Sequence, residues 1–305
     1  MNLGEISNKG VEIQLKGVPI KKKNFNWEVI VNFSKNNNLL VSLNNNLTKV
    51  DLGGTSSIGY VAIPGQPLGL FEGTVAMTDG NGHVVVDSKG LPLADPVLQI
   101  LKDKAGDANY ASSQYDWTGG IVNTLSYKNW SLRFSFDIRQ GGLMYSRTKE
   151  MMYFAGTAPE TTYNDRNPFI VPNSVMQVLD ANGKLLGYTE NTVPISQTNQ
   201  TFYQYYDQSR GGGEFSRAFL VSKSFIKLRD VVITYTFPKK WLDKTPFGNA
   251  SLSFIGRNLL IFTPSSNHFI DPELTTFGND LNADYGEFSA APTTRSYGVS
   301  LRITF

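Results

Sequence analysis

The chain has 305 residues, of which 40% are hydrophobic and 18% charged, and its formal net charge of +2 gives no argument for a nucleic-acid partner. It contains no cysteine, which excludes disulfides, thiolate metal sites and a cysteine nucleophile. No run approaches the roughly 18 consecutive apolar residues of a membrane-spanning helix.

Alternation of apolar and polar residues begins near the N-terminus and predicts a strand pair. In VEIQLKG, Val11, Ile13 and Leu15 are separated by polar residues. NFNWEVIVNFS, residues 24–34, repeats the alternation and places Glu28 on its polar side. The period of two predicts strands with one apolar face. We expect a hairpin closed by VPIKKK, residues 18–23.

Four further strands are predicted in two more pairs. The first joins residues 118–127 to WSLRFSFDIR, residues 130–139, through a turn at Lys128 and Asn129. The second joins SFIKLRDVVITYTFP, residues 224–238, to NASLSFIGRNLLIFT, residues 249–263, through KKWLDKTPFG. With the closing strand from Tyr297, the sequence predicts about seven antiparallel strands and an all-β chain.

The connections between the predicted pairs are much longer than the turns within them. They run over residues 35–116, 141–218 and 264–292. Long structureless connections are unusual in a compact soluble domain, whereas outer-membrane barrels combine short periplasmic turns with long extracellular loops. The predicted strands have the roughly 9 to 11 residues that a tilted strand needs to cross a bilayer. The pattern favours a transmembrane β-barrel segment over a soluble β-sandwich.

Several phrases resemble one family in the same order along the chain. NLGEISNKGVEIQLKGVPIKKKNFNWEVIVNFSKN, DWTGGIVNTLSYKNWSLRFSFDIRQGG, SFIKLRDVVITYTFPKKWL, LSFIGRNLLIFT, DPEL and TTRSYGVSLRITF are similar to the C-terminal part of SusC/RagA-type TonB-dependent outer-membrane transporters. The resemblance implies a barrel of roughly 22 strands around a plug domain. Nothing in the chain resembles that plug, a TonB box or a signal peptide. Residues 1–305 are therefore expected to be the C-terminal portion of the barrel.

For the parent protein, the resemblance implies import of glycans or peptides across the outer membrane of a Gram-negative, Bacteroidetes-like bacterium. The import would be powered through the TonB complex, and a SusD-like surface lipoprotein would cover the barrel. Outer-membrane lipid would surround it. A siderophore receptor of the same barrel type and a free-standing β-sandwich carbohydrate-binding module or enzyme are the alternatives.

The last strand resembles an outer-membrane assembly signal read by the barrel-assembly machinery. Its apolar half consists of Tyr297, Val299, Leu301, Ile303 and Phe305. Such a strand would be recognised while it is still an edge and would then close the barrel against the first strand of the missing portion.

Two groups of residues are candidates for contacts with the solute. The aromatic side chains in TFYQYYDQSRGGGEF could stack on sugars or pack the loop against its lid or neighbour. They are Phe202, Tyr203, Tyr205 and Tyr206. Charged residues on the polar faces of the strands would line the lumen or contact the plug, although cross-strand pairing is their default role. They are Glu28, Arg133, Asp137, Arg139, Asp230, Arg257 and Arg302.

No pattern indicates a catalytic residue, a metal site or a cofactor. His83 and His268 are far apart in two loops. The acidic stretches DPEL and NDLNADYGE, which contains Asp280, could hold calcium, but neither has the register of a calcium loop. Solvated turns are the preferred interpretation of both stretches. The sequence therefore predicts a transporter segment rather than an enzyme.

Overall fold

Seven strands form one antiparallel sheet in this computed structural model, which describes residues 4–44, 47–104, 108–278 and 281–305. Their order in the sheet follows their order along the chain. The strands are β1 (Gly4–Lys22), β2 (Phe25–Leu43), β8 (Trp117–Tyr127), β9 (Trp130–Gln140), β14 (Phe225–Thr236), β15 (Asn249–Phe262) and β17 (Ser296–Thr304). These are the seven strands that the alternation predicts. The all-β prediction is confirmed.

The first hairpin is longer than predicted, and its turn is placed differently. The expected turn at residues 18–23 is wrong, because β1 continues to Lys22 and the chain turns at Lys23 and Asn24. The register shifts between Gly17 and Ile20, so Pro19 lies in a bulge of an edge strand. Proline has no backbone N–H to donate and is tolerated at such a position. The turn at Lys128 is confirmed, since Tyr127 pairs with Trp130.

Cross-strand register separates the sheet into an apolar face and a polar face. One row of apolar partners contains Trp27, Leu125, Leu132, Ile233, Phe254 and Val299. The adjacent row on the opposite face contains Asn26, Ser126, Ser131, Thr234, Ser253 and Ser300. Directly paired residues share a face, and successive residues alternate between faces. The predicted alternation is therefore retained across all the strands from β2 to β17.

The three long connections are folded into three small sheets and several short helices. The further strands are β3 (Val50–Gly54), β4 (Ile58–Ala62), β5 (Leu70–Gly73), β6 (Val84–Val86), β7 (Gln99–Ile100), β10 (Leu143–Ser146), β11 (Ser174–Leu179), β12 (Leu185–Glu190), β13 (Leu220–Ser222) and β16 (Gly286–Glu287). The α-helices are α1 (Arg147–Phe154), α2 (Thr201–Tyr205) and α3 (Lys239–Leu242), and 3-10 turns cover Pro159–Arg166, Gly211–Gly213, Phe215–Phe219 and Leu281–Asp284. The sheet orders are β3-β4-β5-β7, β12-β11-β6 and β13-β10-β16. Two of these sheets combine strands from different connections, which joins the connections to one another.

The main hydrophobic core of the described residues lies in these connections rather than beneath the large sheet. Tyr285, from the third connection, is at its centre: its ring centroid lies 5.5 Å from that of Tyr60 and 5.3 Å from that of Tyr145. The Tyr285 hydroxyl donates to the backbone oxygen of Ile58 at 2.7 Å, so its polar group is satisfied although it is buried. The sequence predicts the long connections correctly but does not indicate their small sheets or their shared core.

None of the helices in the described ranges has the length and apolar character needed to span a membrane.

Candidate functional site: the polar face and its ionic cluster

All seven charged residues predicted to line a lumen lie on the polar face of the sheet. Glu28, Thr124 and Arg133 form one row across β2, β8 and β9. Asp137 pairs with Lys227 on β14, and Asp230 pairs with Arg257 on β15. Arg139 and Arg302 occupy the same face by alternation along β9 and β17. The face is therefore a surface of mixed charge that runs across most of the sheet.

Two pairs on this face connect neighbouring strands. Lys16 Nζ lies 3.1 Å from Glu28 Oε2, and Arg133 Nη1 lies 3.6 Å from Asp230 Oδ2. Ser135 donates its hydroxyl to Asp230 Oδ1 at 2.8 Å. Partly exposed pairs of this kind contribute roughly 0–1 kcal/mol to stability. The predicted cross-strand pairing is confirmed for Glu28, Arg133 and Asp230.

A larger ionic cluster lies where the third connection folds back against β9 and β14. Lys227 donates to Asp271 Oδ1 at 2.7 Å and also contacts the carboxylate of Glu273. Arg229 donates through Nη1 to Glu273 Oε2 at 2.5 Å and through Nε to Asp137 Oδ2 at 3.1 Å. Three cations and three carboxylates meet here, because Arg139 also lies 3.1 Å from Glu273.

A bulge in β14 places the cations of KLR on the same face as Asp230. The register of β14 shifts between Leu228 and Asp230 against both of its neighbours, which leaves Arg229 without a cross-strand partner. Without the bulge, strict alternation from Val231 would place both Lys227 and Arg229 on the apolar face. A bulge re-aims one side chain, and here the guanidinium reaches Asp137 and Glu273 instead.

Burial makes this cluster different from a surface ion pair. The Lys227 and Asp271 side chains are only 4% and 8% exposed. Burial by itself raises the pKa of Glu273, but the hydrogen bonds from Arg229 and Lys227 outweigh it and lower that pKa to about 2. All the carboxylates of the cluster face cations. The interpretation of DPEL as a solvated turn is therefore wrong, because its two acidic residues join the connection to the sheet.

The other predicted charges are not brought into this cluster. Arg257 and Arg302 are exposed, and neither has an ion-pair partner within the described ranges. Asp280 of the second acidic stretch lies outside the described residues. Asp284 of that stretch is ion-paired, since Lys223 Nζ donates to its Oδ1 at 2.7 Å. Glu287, also of that stretch, is buried and accepts a hydrogen bond from the Ser146 hydroxyl.

Three of the four aromatic candidates in the segment 201–215 are buried in the core of the connections. Phe202, Tyr205 and Tyr206 pack against one another, with centroids 5.0 Å apart for Phe202 and Tyr206 and 4.9 Å apart for Tyr205 and Tyr206. Tyr203 is 63% exposed. Their burial favours the packing alternative for these three rings, and contact with a solute or lid stays a prediction. Tyr203 stays a prediction.

The final strand, β17, lies at an edge of the sheet and pairs with β15 alone. Its apolar side chains continue the apolar face, with Leu301 opposite Leu252 and Val299 opposite Phe254. Phe305 is exposed and lies 5.5 Å from the ring of Phe247. A role of Tyr297, Val299, Leu301, Ile303 and Phe305 in assembly stays a prediction.

Aromatic side chains gather at the end of the sheet that carries the short turns. Trp130 packs on Tyr235 with centroids 4.8 Å apart, and Trp241 lies 6.2 Å from both Tyr235 and Phe237. Tyr127, Trp130 and Trp241 are exposed. Trp and Tyr combine an apolar ring with a polar tip, which suits the boundary between an apolar and an aqueous medium.

Sequence comparison relates the whole chain to receptors of one type, although no family model matches it. It is 25% identical to TonB-dependent receptor P26 and 23% identical to TonB-dependent receptor P3, both of Formosa agariphila. Each alignment covers 100% of this chain, and the chain spans only 30% and 29% of the length of these relatives. The resemblance to TonB-dependent receptors that the sequence phrases indicate is confirmed.

Structural comparison gives the same relationship at the level of the fold. The chain superposes on the structure of the RagAB peptide transporter with a TM-score of 0.62 at 20% identity, over 100% of this chain and 30% of that chain. The RagAB peptide importer in its closed-closed state gives a TM-score of 0.61 at 21% identity. At this identity the comparison shows a shared fold.

Proposed function

We propose that this chain, which resembles SusC/RagA-type TonB-dependent receptors over its whole length, is a segment of an outer-membrane barrel that imports a nutrient. The observation that carries the proposal is a single sheet with an exposed apolar face and a charged opposite face. A barrel in a membrane needs this combination, because its outer surface contacts lipid and its inner surface contacts water, plug or solute. The role is transport rather than catalysis.

The apolar face has the chemistry expected of a surface in lipid. Ile233, Phe254 and Val299 lie in one row and are all exposed. Asn123, an amide on this face in the row of Val29 and Phe134, is buried, and its side-chain oxygen accepts a hydrogen bond from Trp27 Nε1 at 3.1 Å. Transfer of an amide into an apolar medium without a hydrogen bond costs on the order of several kcal/mol of free energy, so an amide in contact with lipid needs such a partner.

The two ends of the sheet support an orientation in the membrane. The short turns and their aromatic cluster would face the periplasm, and the folded connections would face outward. There they would meet a SusD-like surface lipoprotein. The TonB complex would act through the remainder of the receptor, and the barrel-assembly machinery would read β17. Residues 1–305 would form the C-terminal portion of a barrel of roughly 22 strands.

Peptides and glycans are the cargo classes that we propose. The RagAB structures are named for peptide transport. A siderophore receptor would share the barrel and differ in cargo. The free β-sandwich module is disfavoured by one observation: a sandwich buries one face of each sheet against the other, whereas Ile233, Phe254 and Leu260 of the apolar face are exposed.

Uptake by cells tests the proposed function. Cells that carry the complete receptor and its lipoprotein should accumulate a labelled peptide or oligosaccharide, and a protonophore or loss of TonB should abolish the accumulation. Cells that lack the receptor are the control. Accumulation that is independent of both TonB and the proton gradient would contradict the proposal.

A further inference from the structure

A polar cavity of about 750 Å³ lies where the folded connections meet the ends of the long strands. Gln140 at the end of β9, Ser222 before β14 and Pro264 after β15 form its floor. Charged side chains of both signs line it: Lys104, Lys149 of α1 and Arg217, together with Asp103, Asp116 and Glu214. The cavity is therefore separate from the ionic cluster of Lys227 and Glu273, which holds the third connection on the polar face.

Lys149 is a buried cation without an acceptor. The residue is only 8% exposed, and its ammonium makes no hydrogen bond or ion pair in the part of the chain that the structure describes. It lies 5.1 Å from the ring centroid of Phe269 and 5.7 Å from that of Tyr153. Burial lowers the pKa of Lys149, and the charges of Glu160 and Glu214 offset this only in part. The Lys149 ammonium has little access to water and lies beside the cavity, so an anion that enters the cavity would stabilise it.

Among the described residues, the carboxylates next to Lys149 at the start of α1 all have hydrogen-bond or ion-pair partners, unlike the Lys149 ammonium. Glu150, the next residue, is fully buried and accepts from Arg147 at 2.8 Å and from the Ser57 hydroxyl at 3.2 Å. Glu287 accepts from the Ser146 hydroxyl at 2.7 Å and from the Thr148 backbone N–H at 2.9 Å. These contacts fix the first turn of α1. The backbone from which the Lys149 side chain projects is therefore held in place.

Arg217 supplies a second donor group beside the same cavity. Its Nη1 donates to Glu214 Oε2 at 2.9 Å, and its Nη2 donates to the backbone oxygen of Asp103 at 2.6 Å. Its Nε is buried and has no hydrogen-bond acceptor among the described residues. Ammonium and guanidinium groups are the donors that bind carboxylates most strongly in proteins.

We propose that this cavity binds a carboxylate of the imported solute, with the Lys149 ammonium as its direct partner and the Nε of Arg217 as a second donor in the same wall. The inference rests on the proposed import function and makes its cargo more specific. A peptide C-terminus and a uronic acid residue of a glycan present the same group.

Binding to the complete receptor, purified in detergent with its lipoprotein, tests the proposal. The probes are an N-acetylated tetrapeptide with uncharged side chains and a free C-terminal carboxylate, compared with its C-terminal amide, and trigalacturonate, compared with its fully methylated ester. The receptor should bind the acid form of at least one pair about tenfold more tightly than the neutral form, since a charged hydrogen bond is worth roughly that factor. Which pair shows the difference identifies the source of the carboxylate.

Variants of Lys149 assign the preference to this cavity. Lys149→Met should reduce the affinity for the acid to that for the neutral form, and Lys149→Arg should retain the preference. Lys184, an exposed lysine of the β11–β12 turn, provides the matched control Lys184→Gln, which should bind as the unaltered receptor does. If Lys149→Met fails to fold, the comparison of acid and neutral probes is made with the unaltered receptor and Lys149→Arg.

Two outcomes would overturn the inference: equal binding of acid and neutral probes by the unaltered receptor, or an unchanged preference in Lys149→Met. Lys149 would then be a structural cation balanced by Glu160 and Glu214. TonB-dependent uptake of neutral cargo would still support the proposed function in that case. If the receptor bound carboxylates through Lys149 but imported nothing, the proposed import function would be contradicted and the proposed carboxylate site would still stand.

Discussion

Lys227 of β14 and Asp271 of the third connection form a buried ion pair, with Lys227 Nζ 2.7 Å from Asp271 Oδ1. The two residues are 44 positions apart in the sequence. With Glu273 and Arg229, the pair fixes the connection against the polar face of the sheet. In the proposed barrel, this contact would hold an extracellular segment at the mouth of the lumen.

Loss of Lys227 should destabilise this junction strongly. Lys227→Met leaves Asp271 buried without its cation, and removal of one partner of a buried pair costs about 3–5 kcal/mol. Lys16→Met is the matched control, since the Lys16 side chain is 60% exposed and its pair with Glu28 is worth at most about 1 kcal/mol. Thermal unfolding of the complete receptor in detergent would compare them. Equal stability of the two variants would contradict the description of the cluster as buried.

The stability of the junction should depend on pH through Glu273. Its pKa is lowered in the folded protein from 4.5 to about 2. A carboxyl group with a lowered pKa contributes stability that is present above the unfolded pKa and is lost as the pH falls. We therefore expect the loss between about pH 4.5 and pH 2, when Glu273 is protonated and releases Arg229 and Lys227. The rate at which an acid-active protease cuts the third connection, measured at each pH, reports this loss of stability.

Glu273→Gln provides the control for this pH dependence. The variant cannot ionise at this position, so cleavage of its third connection should be faster than in the unaltered protein at about pH 5, above the unfolded pKa, and should change less on further acidification. An identical pH profile for both proteins would assign the dependence to another group.

The stability of the core in the connections should be separable from the stability of the large sheet. Phe219 is completely buried there, and Phe219→Ala should destabilise the connections by about 3–5 kcal/mol. Tyr203→Ala, at an exposed ring, should change stability by less than about 0.5 kcal/mol. Limited proteolysis should then cut the connections of Phe219→Ala and leave the long strands intact. Resistance equal to that of Tyr203→Ala would mean that the core does not stabilise the connections.

The strands and their faces could be predicted from the sequence because alternation is a local signal. Leu132, Phe134 and Ile138 show it without any knowledge of their partners, and the pairing of β8 with β9 follows from the short turn at Lys128. Bulges were harder to predict. Pro19 looked like a turn residue, and Arg229 interrupts the alternation of β14.

The core of the connections and the ionic cluster could not be predicted because their partners are distant in sequence. Tyr285 meets Tyr60 and Tyr145 across three separate connections. Lys227 and Glu273 are 46 residues apart, although the cation-rich strand and the acidic DPEL offered a signal for pairing. The burial of the aromatic run from Phe202 to Tyr206 could not be predicted either, since the residue types alone do not distinguish buried rings from exposed ones.

The closing strand should be required for assembly if it is read as a signal. Phe305 is exposed and touches only the ring of Phe247 among aromatic residues of the described chain, so Phe305→Ala removes little folded-state packing. We expect less folded barrel in the outer membrane but unchanged thermal stability of the barrels that form. Phe262→Ala, at an exposed aromatic of the neighbouring strand β15, is the control. Normal assembly of Phe305→Ala would contradict this role for the residue.

The contact of the apolar face with lipid is the central claim, and quenching by nitroxide-labelled lipids tests it most directly. Phe254 and Ser253 are adjacent on β15 and belong to opposite faces. Because this chain has no cysteine, Phe254→Cys and Ser253→Cys each introduce one defined site within it for a fluorophore. In the complete receptor, stripped of any other cysteine and reconstituted in vesicles, the label at position 254 should be quenched strongly and the label at position 253 weakly. Equal quenching, or stronger quenching at position 253, would contradict the assignment of the apolar face to lipid.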